Sequence, residues 1–296
     1  MSELAKRVAV AVVGIPAVLA TAWLGGWPLG LLLGAFSAWA VHECFRFAAR
    51  KEIEPLAWIG VPAAPAFVLL AVWRPSFRAF APWALGLVAV MSLVTLLAAM
   101  LQRGPARHPL AAAAITLLAP VYVGLPLAFA PLLHAMGSGV RTDEGVSAGL
   151  AGLLFVALPL TATWIGDAAA FFAGTAWGQT RAKLAPTISP NKSWVGFWAG
   201  LTGGGVAGLL WYALVERVIG AEATPAGYGS AVLMGVILGL AAVLGDLVES
   251  LLKREAGVKD SGTFFPGHGG VMDRVDSLLF TIPAAFALLV VVDMVL

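Results

Sequence analysis

Runs of about twenty apolar residues, cut by short polar clusters, follow one another along the whole chain. A helix needs about that length to cross roughly 30 Å of hydrocarbon. Charge, proline and glycine mark off nine such runs, at 7–24, 28–47, 56–73, 82–101, 110–134, 148–174, 194–215, 229–252 and 274–294. The charged residues gather between the runs rather than along one face of each, so water is not the solvent for most of this chain. The pattern predicts an all-α polytopic membrane protein with about nine transmembrane helices. The first two runs are divided only by the "GGWP" of residues 25–28. Residues 1–140 hold five helices and residues 141–296 hold four with two long polar loops; together they form a single integral membrane domain.

Composition agrees with the pattern. The chain is 60% hydrophobic and 11% charged, against roughly 25% charged in soluble domains, and its mean hydropathy is +0.92. A net charge of +2 gives no footing for nucleic acid, and the single cysteine excludes an internal disulfide or a cysteine metal cluster. The run after Lys6 and Arg7 has the outline of a signal peptide, but the many equally apolar runs behind it make a retained first helix the simpler reading. With the N-terminus in the cytoplasm, fourteen of the 18 Lys and Arg residues fall on the inner side. The positive-inside rule therefore predicts an inner-membrane protein with a cytoplasmic N-terminus and an outer C-terminus. The two polar loops, "GQTRAKLAPTISPNKSWVG" and the segment after residue 250, then face the cytoplasm.

Acidic residues interrupt the apolar runs at Asp167, Asp246 and Glu249, with Asp273 and Asp276 at the start of the last run. Carboxylates are costly in hydrocarbon and usually line an interior or a watery cavity. Asp167 and Asp246 each lie about 10 Å inside the inner end of their runs, at 1.5 Å per residue. Three helices can thus bring carboxylates to one polar cavity open to the cytoplasm. Asp246 and Glu249, like Asp273 and Asp276, are spaced i, i+3 and share a face if helical. An all-oxygen donor set suits Mg²⁺, which keeps waters and takes further ligands from phosphates; the alternative is ion pairing with Lys253, Arg254 or Arg274 that only holds helices together.

Around these acids stand Lys253, Arg254, Lys259, His268 and Arg274, with Gly262, Gly267, Gly269 and Gly270 interleaved. Basic side chains clamp phosphates, and glycines let backbone N–H groups approach anionic oxygens. The combination reads as a polyphosphate cradle, against the plainer reading of a solvated juxtamembrane loop. "SPNKS" contributes Ser189, Lys192 and Ser193 as a second phosphate contact or, equally, a helix-start turn. His268 is a metal ligand, an acid or base, or a structural hydrogen-bonder. His42 and Glu43 either line the same cavity or form a polar pair at a helix end.

"SLLKREAGVKDSGTFFPGHGGVMDRVDS", residues 250–277, resembles nearly position for position the signature of the phosphatidate cytidylyltransferase family, the CDP-diacylglycerol synthases. "GDLVES" and "SPNKS" are also similar to family elements, so the resemblance covers mainly the last 130 residues. Val195 departs from it, where an acidic or amide residue is expected after "SPxK[ST]x". The resemblance implies joining of CTP to phosphatidate with release of pyrophosphate, in phospholipid biosynthesis. It implies one or two divalent ions, Mg²⁺, at Asp246 and Asp273, and admits an additional monovalent ion and a homodimer. Lys253, Arg254, Lys259 and Arg274 would neutralise phosphates. Asp260, Asp276 and Glu249 would support the ligands, Ser189, Lys192, Ser193, His268, Gly269 and Gly270 would touch substrate, and Asp167 would join the metal site or orient a base. The competing readings are a CTP-dependent polyprenol-type lipid kinase and an ion-coupled transporter, the latter requiring acids near the midplane.

Overall fold

A computed structural model describes residues 3–140, 146–179, 181–220, 223–224, 226–265, 267 and 269–295. Among these, a long helix occupies each of the nine apolar runs: α1 (Glu3–Leu24), α2 (Gly26–Ala49), α3 (Ala57–Trp73), α4 (Phe77–Gln102), α5 (Pro109–Ser138), α6 (Ala148–Trp177), α7 (Trp194–Val218), α8 (Tyr228–Glu255) and, after the short α9 (Met272–Val275), α10 (Leu278–Val295). Seven candidate spans are long and apolar enough to cross a membrane; Val12–Leu24 of α1 and α3 are shorter apolar helices. The 17 residues of α3 reach about 25 Å at 1.5 Å per residue. Large apolar side chains cover the outside, with Leu101 78% and Leu110 80% exposed. Such a surface is stable only against lipid, and the protein is an all-α polytopic membrane protein.

The chain forms two compact units. The first comprises residues 1–135 and 252–275. Its α1 and α2 are separate helices because Gly25 turns the chain at φ 62, ψ −156, a conformation essentially confined to glycine. The ring of His134 fills the space where a Cβ of Gly25 would stand. Helix α5 runs close against α3, where Gly124 lies on the backbone of Ala64. The start of α3 is tied down by the Leu56 N–H, which donates to Thr116 Oγ1 at 2.8 Å. Phe67, Phe80, Leu127, Leu132 and Leu133 fill its interior.

The second unit comprises residues 136–251 and 276–296. Gly166 on α6 faces Gly200 on α7, and Gly204 and Gly208 on α7 face Gly235 and Ala231 on α8, all backbone to backbone. Small residues permit this approach, and close van der Waals packing is what holds helices together where lipid removes the hydrophobic drive. Trp211 Nε1 donates to the Leu154 carbonyl at 2.7 Å, and Thr163 Oγ1 donates to Thr281 Oγ1 at 3.2 Å, joining α6 to α10. The polar loop between α6 and α7 is not irregular. It folds into an antiparallel hairpin of β1 (Lys183–Ala185) and β2 (Ser189–Ser193), with Lys183 opposite Ser193.

Candidate functional site

The second unit encloses a cavity of about 490 Å³ whose walls come from α6, the hairpin, α7 and α8. Its volume lies within the usual small-molecule range. Asp167, Lys192, Ser193 and Asp246 all line it, with Asn191, Thr175 and Gln179 as further polar groups. Lys192 stands near the end of β2 and places Nζ 2.6 Å from Asp246 Oδ2. Ser250, one turn further along α8, donates to Asp246 Oδ1 at 3.2 Å. The hairpin is carried directly into α7, because Ser193 both ends β2 and caps the helix, its Oγ accepting the Gly196 N–H at 3.2 Å. A Cβ on Gly178 would run into that hydroxyl. Lys192 is thereby fixed one residue ahead of a helix cap.

Not every predicted residue joins this cavity. Ser189 opens β2 opposite Ala185 and is not among the cavity's lining residues. Glu249 is fully buried on α8, whereas Asp246 is half-buried in the cavity wall, so their shared spacing does not give them one environment. The shared helix face expected for Asp273 and Asp276 is not formed. Helix α9 ends at Val275, and Asp276 lies in the turn before α10, where its Oδ1 accepts the Ser277 N–H at 2.6 Å. It therefore shares no helix face with Asp273.

The signature segment builds a second cluster, in the first unit. Helix α8 closes with a Schellman cap: Gly257, at φ 69, donates to the Arg254 carbonyl at 3.1 Å and Val258 to that of Lys253 at 2.9 Å. Arg254 Nη1 donates to the Val258 carbonyl at 3.1 Å. Lys253 meets Asp273 Oδ1 at 2.7 Å, in a pair whose side chains are only 12% and 8% exposed. Asp273 Oδ2 accepts the Ser261 and Gly270 N–H groups, each at 2.8 Å, and lies 2.9 Å from the Ser261 hydroxyl. Lys259, Asp260 and Arg274 are exposed. His268 lies outside the described residues. Phe264 and Phe265 pack on Trp39 and Phe36 of α2, with ring centroids 4.8 and 6.1 Å apart.

One residue at the centre of this cluster was read from sequence only as lining the cavity or as half of a helix-end polar pair. Glu43 of α2 is fully buried and takes donors from Ser261 Oγ at 2.8 Å, Val271 N at 3.1 Å and Met272 N at 2.8 Å. The glycines of the signature make room for it. A Cβ on Gly262 or Gly270 would run into the Glu43 carboxylate, and one on Gly269, at φ 79, would strike Asp273 Oδ2. These glycines do let backbone approach anionic oxygens, but the oxygens they meet here are the protein's own.

Among the described residues no three Asp, Glu, His or Cys side chains converge into a metal-holding group. The donors present still fit one kind of ion. Mg²⁺ is commonly held by one or two carboxylates and completes its shell with water and substrate phosphates, and Asp246 and Asp273 each offer such a carboxylate beside a lysine.

The family model described as "Cytidylyltransferase family" matches residues 5–292. A protein of Synechocystis sp. named phosphatidate cytidylyltransferase is 30% identical over 302 residues, covering 95% of this chain and 94% of its own length. Proteins of the same name from Brucella suis and Bacillus subtilis are 47% and 40% identical over 126 and 138 residues. Those two alignments span less than half of either partner, 42% and 48% of the relatives' own lengths.

Proposed function

The chain belongs to the cytidylyltransferase family, and from that premise we propose that it transfers the cytidylyl group of CTP to phosphatidate, forming CDP-diacylglycerol and pyrophosphate. An oxygen of the lipid phosphate attacks the α-phosphorus in line. A new phosphorus–oxygen bond forms as the bond from the α-phosphorus to the oxygen bridging to the β-phosphate breaks, and pyrophosphate leaves with that electron pair. The nucleophile is already ionised near neutral pH, so positioning and charge neutralisation carry the catalysis.

The observation that supports this reading best is the cavity in which Asp167 and Asp246, on apolar helices, stand together with Lys192 of the hairpin. Lys192 and Asp246 are already paired, so an arriving phosphate can take the ammonium while the carboxylate turns to a cation. Lys253 and Asp273 offer the same exchange. Mg²⁺, when bound at Asp246 or Asp273, would supply charge neutralisation for the triphosphate and for pyrophosphate as it leaves. Arg254, Lys259 and Arg274, exposed along the signature segment, would gather the anionic substrates, and Ser193 would hold the hairpin that presents Lys192. In the membrane the positive-inside bias supports a cytoplasmic N-terminus and an active site reached by CTP from the cytoplasm.

The test is detergent-solubilised full-length protein supplied with phosphatidate, Mg²⁺ and CTP labelled at either the α- or the γ-phosphate. Label from the α-position entering lipid, with pyrophosphate released, is the expected result. Entry of γ-label alone would make the protein a CTP-dependent lipid kinase, and no label in lipid from a folded sample would refute the transfer itself.

A further inference from the structure

We propose that Glu43 is a positioning residue for Asp273, acting through Ser261 and through the backbone that leads into Asp273; the proposal rests on the reading of Asp273 as a divalent-ion ligand. The Ser261 hydroxyl stands 2.8 Å from Glu43 Oε2 and 2.9 Å from Asp273 Oδ2. It has one proton for these two carboxylates, while its oxygen accepts the Asp273 N–H at 3.3 Å. The serine is therefore a shared link rather than a private partner of either acid.

Glu43 also fixes the main chain. Its oxygens take the N–H groups of Val271 and Met272, the two residues immediately before Asp273. Asp273 Oδ2 in turn takes the N–H groups of Ser261 and Gly270. Glu43 thus ties down the segment that carries Asp273, Asp273 ties down the loop residues that lie against Glu43, and Gly262 and Gly270 lack the side chains that would push loop and Glu43 apart. The consequence is a division of labour within one carboxylate. Oδ2 of Asp273 is held by its own loop, and Oδ1 is the oxygen turned to Lys253. A buried acid on α2 thereby sets the direction in which Asp273 presents its exchangeable oxygen. Residues that orient a ligand in this way typically change metal affinity or activity by about 10–100-fold when replaced.

The experiment titrates Mn²⁺ alone into purified full-length protein and follows free Mn²⁺ by electron paramagnetic resonance, with folding checked by thermal melting. Asp273→Asn, Glu43→Gln and Ser261→Ala are compared with the unmodified chain. Weakening of Mn²⁺ binding in all three, by about 10–100-fold for Glu43→Gln, supports the proposal. Weakening in Asp273→Asn with unchanged affinity in Glu43→Gln and Ser261→Ala overturns it and leaves the metal reading standing. Unchanged affinity in Asp273→Asn overturns the metal reading and the role of Glu43 with it. If Glu43→Gln does not fold, Ser261→Ala decides the matter, since it cuts the link between the two acids and leaves the backbone bonds of Glu43 in place.

Discussion

Two lysine–aspartate pairs of the same chemistry occupy different surroundings, and replacing each lysine by methionine separates stability from function. Lys192 and Asp246 meet at 2.6 Å with 22% and 36% of their side chains exposed. A pair that open to solvent contributes about 0–1 kcal/mol, so Lys192→Met is expected to shift the melting temperature by no more than a few degrees. Lys253 and Asp273 meet at 2.7 Å with 12% and 8% exposed. Removing one partner of a buried pair costs about 3–5 kcal/mol. The Ser261 and Gly270 donors that remain on Asp273 place Lys253→Met near the lower end of that range. Both lysines are proposed to neutralise phosphate, so both variants should lose about 100-fold or more in kcat/KM, equivalent to about 2.7 kcal/mol. Melting in detergent and release of pyrophosphate from CTP measure the two quantities separately. Equal destabilisation by the two substitutions would refute the burial argument, and a folded Lys192→Met variant with undiminished turnover would refute the role of the hairpin.

Other consequences are more direct. Gly270→Ala places a methyl group against Glu43 and the Ser261 hydroxyl, and is expected to cost about 1–3 kcal/mol of stability by overpacking, read as a lower melting temperature. Ser193→Ala removes the cap of α7 and should cost about 1 kcal/mol, whereas Ser193→Asn, which can still cap, should melt close to the unmodified protein. Gly235→Val sets a branched side chain against the backbone of Gly204, and is expected to reduce the folded, monodisperse yield on size-exclusion chromatography. Chelation by excess EDTA should abolish turnover without lowering the melting temperature, because Asp246 and Asp273 each already have a lysine beside them; Mg²⁺ should restore it.

The helices were legible because a bilayer imposes a length and a composition that few other solvents do. Apolar runs of about twenty residues have one stable answer in lipid, where every backbone group must bond within its own helix. Even the narrow division at "GGWP" had a local cause, since Gly25 adopts a backbone conformation that other residues avoid. The hairpin at Lys183–Ser193 was not legible. Its strands are three and five residues long, too short for alternation to declare itself, and two prolines within the loop argue against strand. The grouping of residues 252–275 with the N-terminal helices likewise leaves no trace in local sequence, since it depends on partners more than 200 positions away.

The candidate site shows the same limit in sharper form. Asp246, Lys253 and Asp273 stood out because charge is rare in this chain, and rarity is a property of the sequence itself. Glu43 is as rare, yet beside His42 at the inner end of its run it reads as well for half of a helix-end polar pair as for a residue lining the cavity. Its role depends on three donors, from residues 261, 271 and 272, that only the tertiary fold brings to it. The signal that could have decided between its two readings was indirect. Positions 262, 269 and 270 are three of the five glycines between Glu255 and Val271, and glycine there can make space for something. The first candidate was substrate phosphate, because basic residues surround the loop. At two of those positions the space belongs to Glu43 and at the third to Asp273. Under the proposed function a glycine-rich, charged loop therefore answers two demands at once: side chains offered to an anionic substrate, and bare backbone packed against the carboxylates of Glu43 and Asp273.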